Sequence, residues 1–208
     1  MSASGQHIAL VLAAGGSRRL GQPKQLLKRD GETLVHRACR LAMATSPQRL
    51  LLITGAHTNK VVAAVSDLAL ERVPNPDWER GLASSLVAAA SVLPDDATRL
   101  LILGCDQPAL SVDHLLRLRD TRARGEAAKH GNVFCAVTGY DDAVGMPAVV
   151  PAALLHSAVT AGDVGLRKTL NRLPPEQRVV VSAAELALDI DTAHDLQRAR
   201  ELGQIDTD

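Results

Sequence analysis

The sequence predicts one α/β domain in which helices cover both faces of a mostly parallel sheet. Short apolar runs alternate with helical patterns along nearly all of the 208 residues, and this alternation is typical of βαβ units. The chain is 46% hydrophobic with a single Trp, Tyr and Phe, so Ala, Leu and Val must fill the core, as they do in buried parallel sheets. The length suits a single domain. We therefore expect three layers, α/β/α, within residues 1–208.

The first half carries the regular part of this pattern. Strands are predicted at Ile8–Ala13, Leu50–Thr54, Leu70–Val73 and Leu100–Leu103. Helical periodicity lies between and after these strands, at Leu34–Ala44, Asn59–Ser66, Ser85–Leu93 and Ser111–Arg124. Right-handed crossovers would make the strands parallel.

The second half is less regular. Strands are predicted at Asn132–Thr138, Ala148–Val150 and Arg178–Val181, with two short helices before the last of them. A final helix is predicted to begin near Thr192, because Asp195 follows three residues later, as in a capping box. No segment has the length or composition of a linker between two domains.

Charge and residue usage exclude several classes of function. Lysine plus arginine and aspartate plus glutamate number 23 each, so no overall field favours nucleic acid or an anionic membrane as a partner. No apolar stretch approaches the ~20 residues of a membrane span. The three cysteines form no CxxC pair, which is typical of reduced thiols in a cytoplasmic protein. The seven histidines are dispersed, so we expect no zinc site.

A basic, glycine-rich loop directly follows the first predicted strand. Gly15 and Gly16 let the backbone approach a ligand without a Cβ clash, and backbone N–H groups in such a turn bind phosphate. Arg19 can bind two phosphate oxygens with its forked guanidinium, while Lys24 supplies a flexible point charge. The loop therefore predicts a phosphate cradle, with a tight turn that carries solvated charges as the alternative.

Three common glycine motifs do not fit this loop. The dinucleotide motif GxGxxG and the serine elbow GxSxG fail, because Ser17 and Arg19 stand where each motif needs a glycine. The Walker motif fails because Gln22 and Pro23 stand where its Lys-Ser/Thr pair belongs.

The loop instead resembles the signature L-A-A-G-x-S-x-R-x-G-x-x-K of nucleotidyltransferases with a glycosyltransferase-A-like fold. Over nearly its whole length the chain resembles the MobA-like branch, which includes the molybdenum cofactor cytidylyltransferases. The resemblance implies a Rossmann-like twisted sheet, with a nucleotide-binding half at residues 1–110 and an acceptor-binding half with a closing metal motif at residues 111–208. It also implies that the loop binds a nucleoside triphosphate through Leu12, Ala13, Ala14, Gly15, Gly16, Ser17, Arg19 and Lys24.

A second segment, NPDWERGLASSL, resembles the part of this family that frames the base and ribose. The resemblance implies nucleotide contacts for Asn75, Gly81 and Ser85. The alternative is that Trp78 fills the core and Ser85 only caps the next helix.

Two aspartates are candidates for a metal site. Asp106 directly follows an apolar strand, at the edge where open α/β sheets bind ligands, and a carboxylate there suits a hard cation. Its D-x-P context resembles the family motif whose aspartate holds Mg²⁺. The segment LDIDTAHDL resembles the family's closing D-I-D-T-P-E-D-L, which implies that Asp191 completes the site, with Asp189 as the alternative. Asp191 could also merely begin a helix.

The segments VGMPAVV and GDVGLR resemble motifs of the half that receives the second substrate. The resemblance implies acceptor contacts for Gly145, Pro147, Asp163 and Arg167. Arg167 would pair with an acceptor phosphate or lie in solvent. Met146 stands where family members usually carry histidine, which leaves the identity of the acceptor open.

The resemblance as a whole implies transfer of CMP from CTP to the phosphate of molybdopterin, with release of pyrophosphate. Lys24, Arg19 and Asp106 would be the catalytic residues, Mg²⁺ the cofactor, and a molybdoenzyme or its insertion chaperone a protein partner. We expect the Ala14 methyl group to lie along the base and to obstruct a guanine, which favours CTP over GTP. The alternatives are a sugar- or polyol-phosphate nucleotidyltransferase and a noncatalytic carrier or insertion chaperone for the molybdenum cofactor.

Overall fold

The structure, a computed structural model, describes residues 6–121, 134–140, 143–155 and 166–207. The strands of these ranges are β1 (Ile8–Leu12), β2 (Lys28–Arg29), β3 (Glu32–Thr33), β4 (Arg49–Thr54), β5 (Glu71–Pro74), β6 (Arg99–Gly104), β7 (Cys135–Tyr140), β8 (Ala143–Pro151) and β9 (Arg178–Ser182). The α-helices with defined bounds are α1 (Leu34–Met43), α2 (Thr58–Ala63), α3 (Leu82–Ala90), α4 (Val112–Asp120), α5 (Leu166–Arg172) and α6 (Ala193–Glu201).

Seven of the strands form one sheet in the order β5-β4-β1-β6-β8-β7-β9. Its first four strands are parallel, and β9 is parallel to β7. Strand β8 is antiparallel to both of its neighbours, because only two residues separate β7 from β8 and so short a connection allows a hairpin but not a crossover. The mostly parallel sheet is therefore confirmed, with β8 as the exception.

Helices cover both faces of this sheet, which confirms the three layers. Successive strand residues point to opposite faces. On one face, Val11 packs with Val35 of α1 and Leu115 of α4. On the other face, Leu10 packs in the same cluster as Leu86 of α3 and Leu170 of α5. Small aliphatic side chains thus fill both interfaces, as the composition predicts.

Most predicted elements are present, and the differences lie at their ends. Helix α3 begins at Leu82, three residues before the predicted start, because Gly81 with φ 93° stands at its N-cap. Helix α4 ends at Asp120, and the predicted continuation over residues 122–124 lies outside the described residues. Strand β8 begins at Ala143 rather than Ala148. The prediction left out its first residues because Gly145 and Pro147 are residue types that rarely occur inside strands. No helix in the described ranges is long and apolar enough to cross a membrane.

The C-terminal segment packs against the opening loop. Helix α6 has the predicted capping box, in which Thr192 accepts from the backbone N–H of Asp195 and Asp195 accepts from that of Thr192. Leu196 of α6 belongs to a small apolar cluster with Ile190 and with Leu20 of the loop after β1. This cluster holds the closing motif beside the loop.

The buried His114 predicts a pH dependence of stability. His114 lies on α4 and is 2% exposed. Its Nε2–H donates to Thr138 Oγ1 at 2.8 Å, because the Thr138 hydroxyl already donates to Pro147 O at 2.6 Å. Burial, helped by the nearby Arg117, lowers the pKa of His114 to about 4.

Between the unfolded and folded pKa values the native state binds fewer protons than the unfolded state. The free energy of unfolding should therefore fall as the pH drops from about 6.5 to about 4, by up to roughly 3 kcal/mol from this residue. Urea unfolding of the wild type and His114→Gln at several pH values in that window measures the effect. The substituted protein should show a shallower pH dependence, and equal slopes would contradict the assignment.

Candidate functional site

Three segments meet at the carboxyl ends of β1 and β6. The two strands are parallel neighbours, with Leu12 beside Gly104. The loop of residues 13–23 therefore leaves the sheet next to Asp106. The segment before α6 returns to the same place, where the N–H of Ile190 donates to the Asp106 carbonyl at 3.0 Å. Open α/β sheets bind ligands at this kind of edge.

The loop after β1 presents a run of unused backbone donors. Within the ranges that the structure describes, the N–H groups of residues 14–19 donate to no protein acceptor, whereas Ala13 N–H donates to Ile53 O at 2.9 Å and Leu20 N–H to Ser17 O at 3.1 Å. Ser17 has a positive φ of 50°, which turns the chain sharply. Consecutive free amides in such a turn form an anion-binding surface.

Lys24 joins this loop to both predicted metal aspartates. Its ammonium donates to Asp106 Oδ2 and to Asp191 Oδ1, both at 2.7 Å, and its side chain is 15% exposed. Burial alone would lower the pKa of Lys24, but the charges and hydrogen bonds of Asp106 and Asp191 outweigh it and raise the pKa. Arg19 donates to the other Asp191 oxygen, Oδ2, at 2.9 Å. The structure thus brings Arg19, Lys24, Asp106 and Asp191 together.

The two aspartates suit a divalent cation that takes further ligands from elsewhere. Because Asp106 and Asp191 both accept from one ammonium, their oxygens face a common position for a positive charge. In the described part of the chain, no three acidic, histidine or cysteine side chains are close enough to hold an ion by themselves. Mg²⁺ in nucleotide sites uses one or two carboxylates together with substrate phosphates, so this donor set fits it.

Asp189 differs from these aspartates in its surroundings. Its burial, reinforced by the negative charge of Asp106, raises the pKa of Asp189. Together with Tyr140, Gln107 and Asp106 it lines a cleft of about 150 Å³. Asp191, and not Asp189, shares the Lys24 ammonium with Asp106, so the geometry favours Asp191 as the partner of Asp106.

The same cleft contains part of the predicted acceptor site. Gly145, Met146 and Arg167 line it beside Asp106, and Arg167 is exposed. Pro147 is buried in β8, and its carbonyl accepts from Thr138. Asp163 lies outside the described residues.

Trp78 covers the glycine loop from one side. A Cβ atom at Gly16 would lie 2.7 Å from the Trp78 ring, and the guanidinium of Arg18 lies 5.5 Å from the ring centroid. Arg18 also pairs with Glu79 at 2.5 Å. Trp78 is half-buried and packs on the loop backbone and against one core cluster.

Asn75 and Ser85 form a buried polar pair next to the segment that contains Trp78. The Asn75 amide donates to Ser85 Oγ at 3.1 Å and to Ser84 Oγ at 2.9 Å, and Asn75 Oδ1 accepts from the N–H of Asp77 at 3.0 Å. Both residues are almost fully buried. Their visible role is to hold the segment of Trp78 and Gly81 against α3; direct nucleotide contact by Asn75, Gly81 and Ser85 stays a prediction.

The expected contact between the Ala14 methyl group and the base is wrong. Ala14 is 4% exposed and belongs to the apolar cluster under the sheet. Its methyl group lies 2.9 Å from the position of a Cβ atom at Gly55. Whether this methyl group can contact a base depends on the direction of the Ala14 Cα–Cβ bond, and the L-A-A-G pattern does not show that direction.

Sequence reasoning also missed residues that shape the loop. Gly55, after β4, lies under it, and Gln25 is a buried polar residue that contacts its backbone. The sequence shows only that Gln25 follows Lys24, because its burial and its contacts with the loop are visible only in the structure. Cys105 is buried, and its burial raises the pKa of the thiol, in agreement with a packing role rather than a nucleophile.

Replacing Gly55 should destabilise the protein and displace the loop. A Cβ atom at Gly55 would lie 2.6 Å from the Ala14 carbonyl oxygen and 2.7 Å from Trp78 Cβ. Because a backbone atom cannot move aside cheaply, Gly55→Ala should lower the free energy of unfolding by about 1–3 kcal/mol.

The matched control is Gly15→Ala, where a Cβ atom meets nothing within 4 Å. Its effect on stability should stay within about 0.5 kcal/mol. Denaturant unfolding of both variants measures the difference, and similar stabilities would contradict the proposed packing of the loop.

Known proteins share parts of this sequence. A molybdenum cofactor cytidylyltransferase from Escherichia coli strain K12 is 26% identical over 195 residues, covering 92% of this chain and 94% of that protein. A probable molybdenum cofactor guanylyltransferase from Synechococcus elongatus is 36% identical over 106 residues, but the match covers 50% of this chain and 52% of that protein.

A solved structure shares the fold of this chain. Rv0371c from Mycobacterium tuberculosis H37Rv, solved in complex with manganese, superposes with a TM-score of 0.72 at 28% identity and covers 94% of this chain and 98% of its own. The family model of the MobA-like NTP transferase domain matches residues 9–184. This range contains the loop amides, Lys24 and Asp106, and it spans most of the chain, which therefore belongs to the MobA-like NTP transferase family.

Proposed function

We propose that this protein transfers CMP from CTP to the terminal phosphate of molybdopterin and releases pyrophosphate. The observation that carries the proposal is the run of free N–H groups at residues 14–19 beside Lys24, Arg19 and two aspartates. Free amides and fixed cations bind a triphosphate, while paired carboxylates bind the divalent ion that accompanies it. Family membership supports nucleotidyl transfer, and the names of the relatives support the acceptor.

The residues of the chain act mainly by position and charge. The loop amides and Arg19 would hold the β- and γ-phosphates, which leave as pyrophosphate. Lys24 would face the charge that develops at the α-phosphate, where fixed cations lower the barrier. Mg²⁺ held by Asp106 and Asp191 would neutralise phosphate charge. The acceptor phosphate is already ionised at neutral pH, so the attack needs no general base.

Lys24 has to exchange partners for this role. In the structure its ammonium bridges Asp106 and Asp191, which is the position that a divalent ion would take. A triphosphate offers the ammonium new oxygens, and the departure of the ammonium frees both carboxylates. Phosphate and metal therefore bind together in this proposal, since each makes room for the other.

The choice of CTP rests on similarity over the full length. The cytidylyltransferase relative matches nearly the whole chain, including the acceptor half. A guanylyltransferase is the second candidate, because a relative of that name is more identical over about half the chain. Competition between CTP and GTP at equal concentrations, with molybdopterin as acceptor, distinguishes them: a cytosine dinucleotide as the main product supports the first candidate.

A pyrophosphate assay tests the function itself. Purified protein, CTP and the molybdopterin form of the cofactor should release pyrophosphate in proportion to the dinucleotide formed. A carrier or insertion chaperone would bind the cofactor without releasing pyrophosphate. A sugar- or polyol-phosphate nucleotidyltransferase would release it only with that acceptor.

Asp106→Ala should abolish turnover while the protein stays folded. The substitution removes one carboxylate of the predicted metal site, and the loss of a metal ligand removes several kcal/mol of transition-state stabilisation. The matched control is Asp96→Ala, an exposed aspartate outside the site. Initial rates of pyrophosphate release at saturating Mg²⁺ measure both variants. Near wild-type turnover by Asp106→Ala would contradict the metal assignment.

Lys24→Met should raise the affinity for Mn²⁺ in the absence of nucleotide. The ammonium competes with a divalent ion for Asp106 and Asp191, so its removal should tighten binding by at least about tenfold, or about 1.4 kcal/mol. The matched control is Lys60→Met, since Lys60 is exposed on α2. Electron paramagnetic resonance of free Mn²⁺ measures the affinity without any turnover. Equal affinities in the three proteins would show that the two cations do not share a position.

A further inference from the structure

Gln25 lies beneath the loop and uses every group of its amide there. It is the middle residue of a short 3-10 helix, Lys24–Leu26, and is 1% exposed. Its Nε2 donates to the carbonyl oxygens of Ala13 at 3.0 Å and Gly15 at 2.6 Å. Its Oε1 accepts from Ser17 Oγ at 3.4 Å. A primary amide has two N–H donors and one carbonyl, so both donors and the carbonyl of Gln25 contact the loop.

These contacts fix which way the peptide groups of the loop face. In a planar trans peptide the C=O and the following N–H point in opposite directions. Because Gln25 holds the Ala13 and Gly15 carbonyls on the buried side, the N–H groups of Ala14 and Gly16 point to the other side. Both belong to the run of amides without a protein acceptor in the described part of the chain.

Ser17 links the same network to Lys24. Its Oγ donates to Gln25 and accepts from the backbone N–H of Lys24 at 3.1 Å. The positive φ of Ser17 is a strained conformation for a residue with a side chain, and these two hydrogen bonds offset part of that strain. Through Ser17, Gln25 therefore supports both the turn of the loop and the backbone of Lys24.

From this geometry we infer that Gln25 is a positioning residue that orients the loop amides toward the triphosphate. The inference rests on the proposed function and deepens it, since it assigns the shape of the phosphate cradle to a buried side chain that touches no substrate. Gln25 acts on backbone carbonyls, so its effect is on the phosphates and is the same for every base.

The test uses two substitutions of Gln25 and three ligands. Gln25→Leu removes both donors, and Gln25→Glu keeps the shape of the side chain but presents oxygens to the two carbonyls. Calorimetric titration with CTP, GTP and inorganic tripolyphosphate, each with Mg²⁺, gives the dissociation constants. Both variants should bind all three ligands at least about tenfold more weakly, as expected for the loss of hydrogen bonds that hold the site.

The kinetic pattern separates positioning from general damage. The KM for CTP should rise at least about tenfold, while the KM for the acceptor and the ratio of CTP to GTP affinity stay within about twofold. The control is Thr45→Val, which removes a buried hydroxyl that bonds His7 at 2.8 Å and Ala42 O at 2.6 Å, beyond the amino end of β1. It should lower stability comparably and leave the CTP affinity unchanged.

The outcomes are distinct. If wild-type protein binds CTP and releases pyrophosphate but both Gln25 variants bind like wild type, the inference is overturned and the proposed function stands. A loss restricted to CTP or GTP, with tripolyphosphate binding intact, also overturns it, because Gln25 would then act on the base. If the wild type binds neither a nucleotide nor tripolyphosphate, the proposed function fails and the inference fails with it.

Discussion

The rest of the site depends on the two salt bridges of the Lys24 ammonium. The ammonium bridges Asp106 and Asp191, and these residues come from three separate segments of the chain. Two carboxylates at one position repel each other without a cation between them. The Lys24 ammonium supplies that cation, and it also ties the glycine loop to the carboxyl end of β6. This contact and the salt bridge of Arg19 hold Arg19, Lys24, Asp106 and Asp191 next to one another.

Three features of the fold produce this arrangement. Adjacent parallel strands deliver the loop and Asp106 to the same edge. The capping box of α6 and the apolar cluster of Leu20, Ile190 and Leu196 bring Asp191 to that edge from the end of the chain. Gln25 then holds the loop carbonyls inward. The site therefore combines a rigid sheet edge with a charge pair that can exchange partners.

The sequence predicted the parts of this site that depend on residue type and spacing. The alternating apolar runs predicted the seven strands of the main sheet and their mostly parallel arrangement. The glycine turn lies beside Asp106 with Arg19 and Lys24, and its role as a phosphate cradle stays a prediction. The convergence of Asp106 with Asp191 agrees with the family motifs. These features are local, or they follow from the rule that parallel strands end at one edge.

The remaining features depend on three-dimensional placement. The burial that raises the pKa of Asp189 comes from elements far apart in the chain. The Ala14 methyl group is buried next to Gly55, which lies in another segment of the chain. Gln25 looks like an ordinary polar residue until the carbonyls above it are located. The predicted β8 is too short because the strand contains a glycine and a proline, which are unusual in strands.

A triphosphate should replace the carboxylates as the partner of Lys24 and accept hydrogen bonds from the free amides of the loop. A crystal structure with a non-hydrolysable CTP analogue and Mg²⁺ tests it most directly. We expect phosphate oxygens within hydrogen-bond distance of several N–H groups of residues 14–19, Lys24 Nζ on a phosphate, and the metal ion between Asp106 and Asp191. A triphosphate bound elsewhere, with Lys24 still paired to both aspartates, would contradict the account.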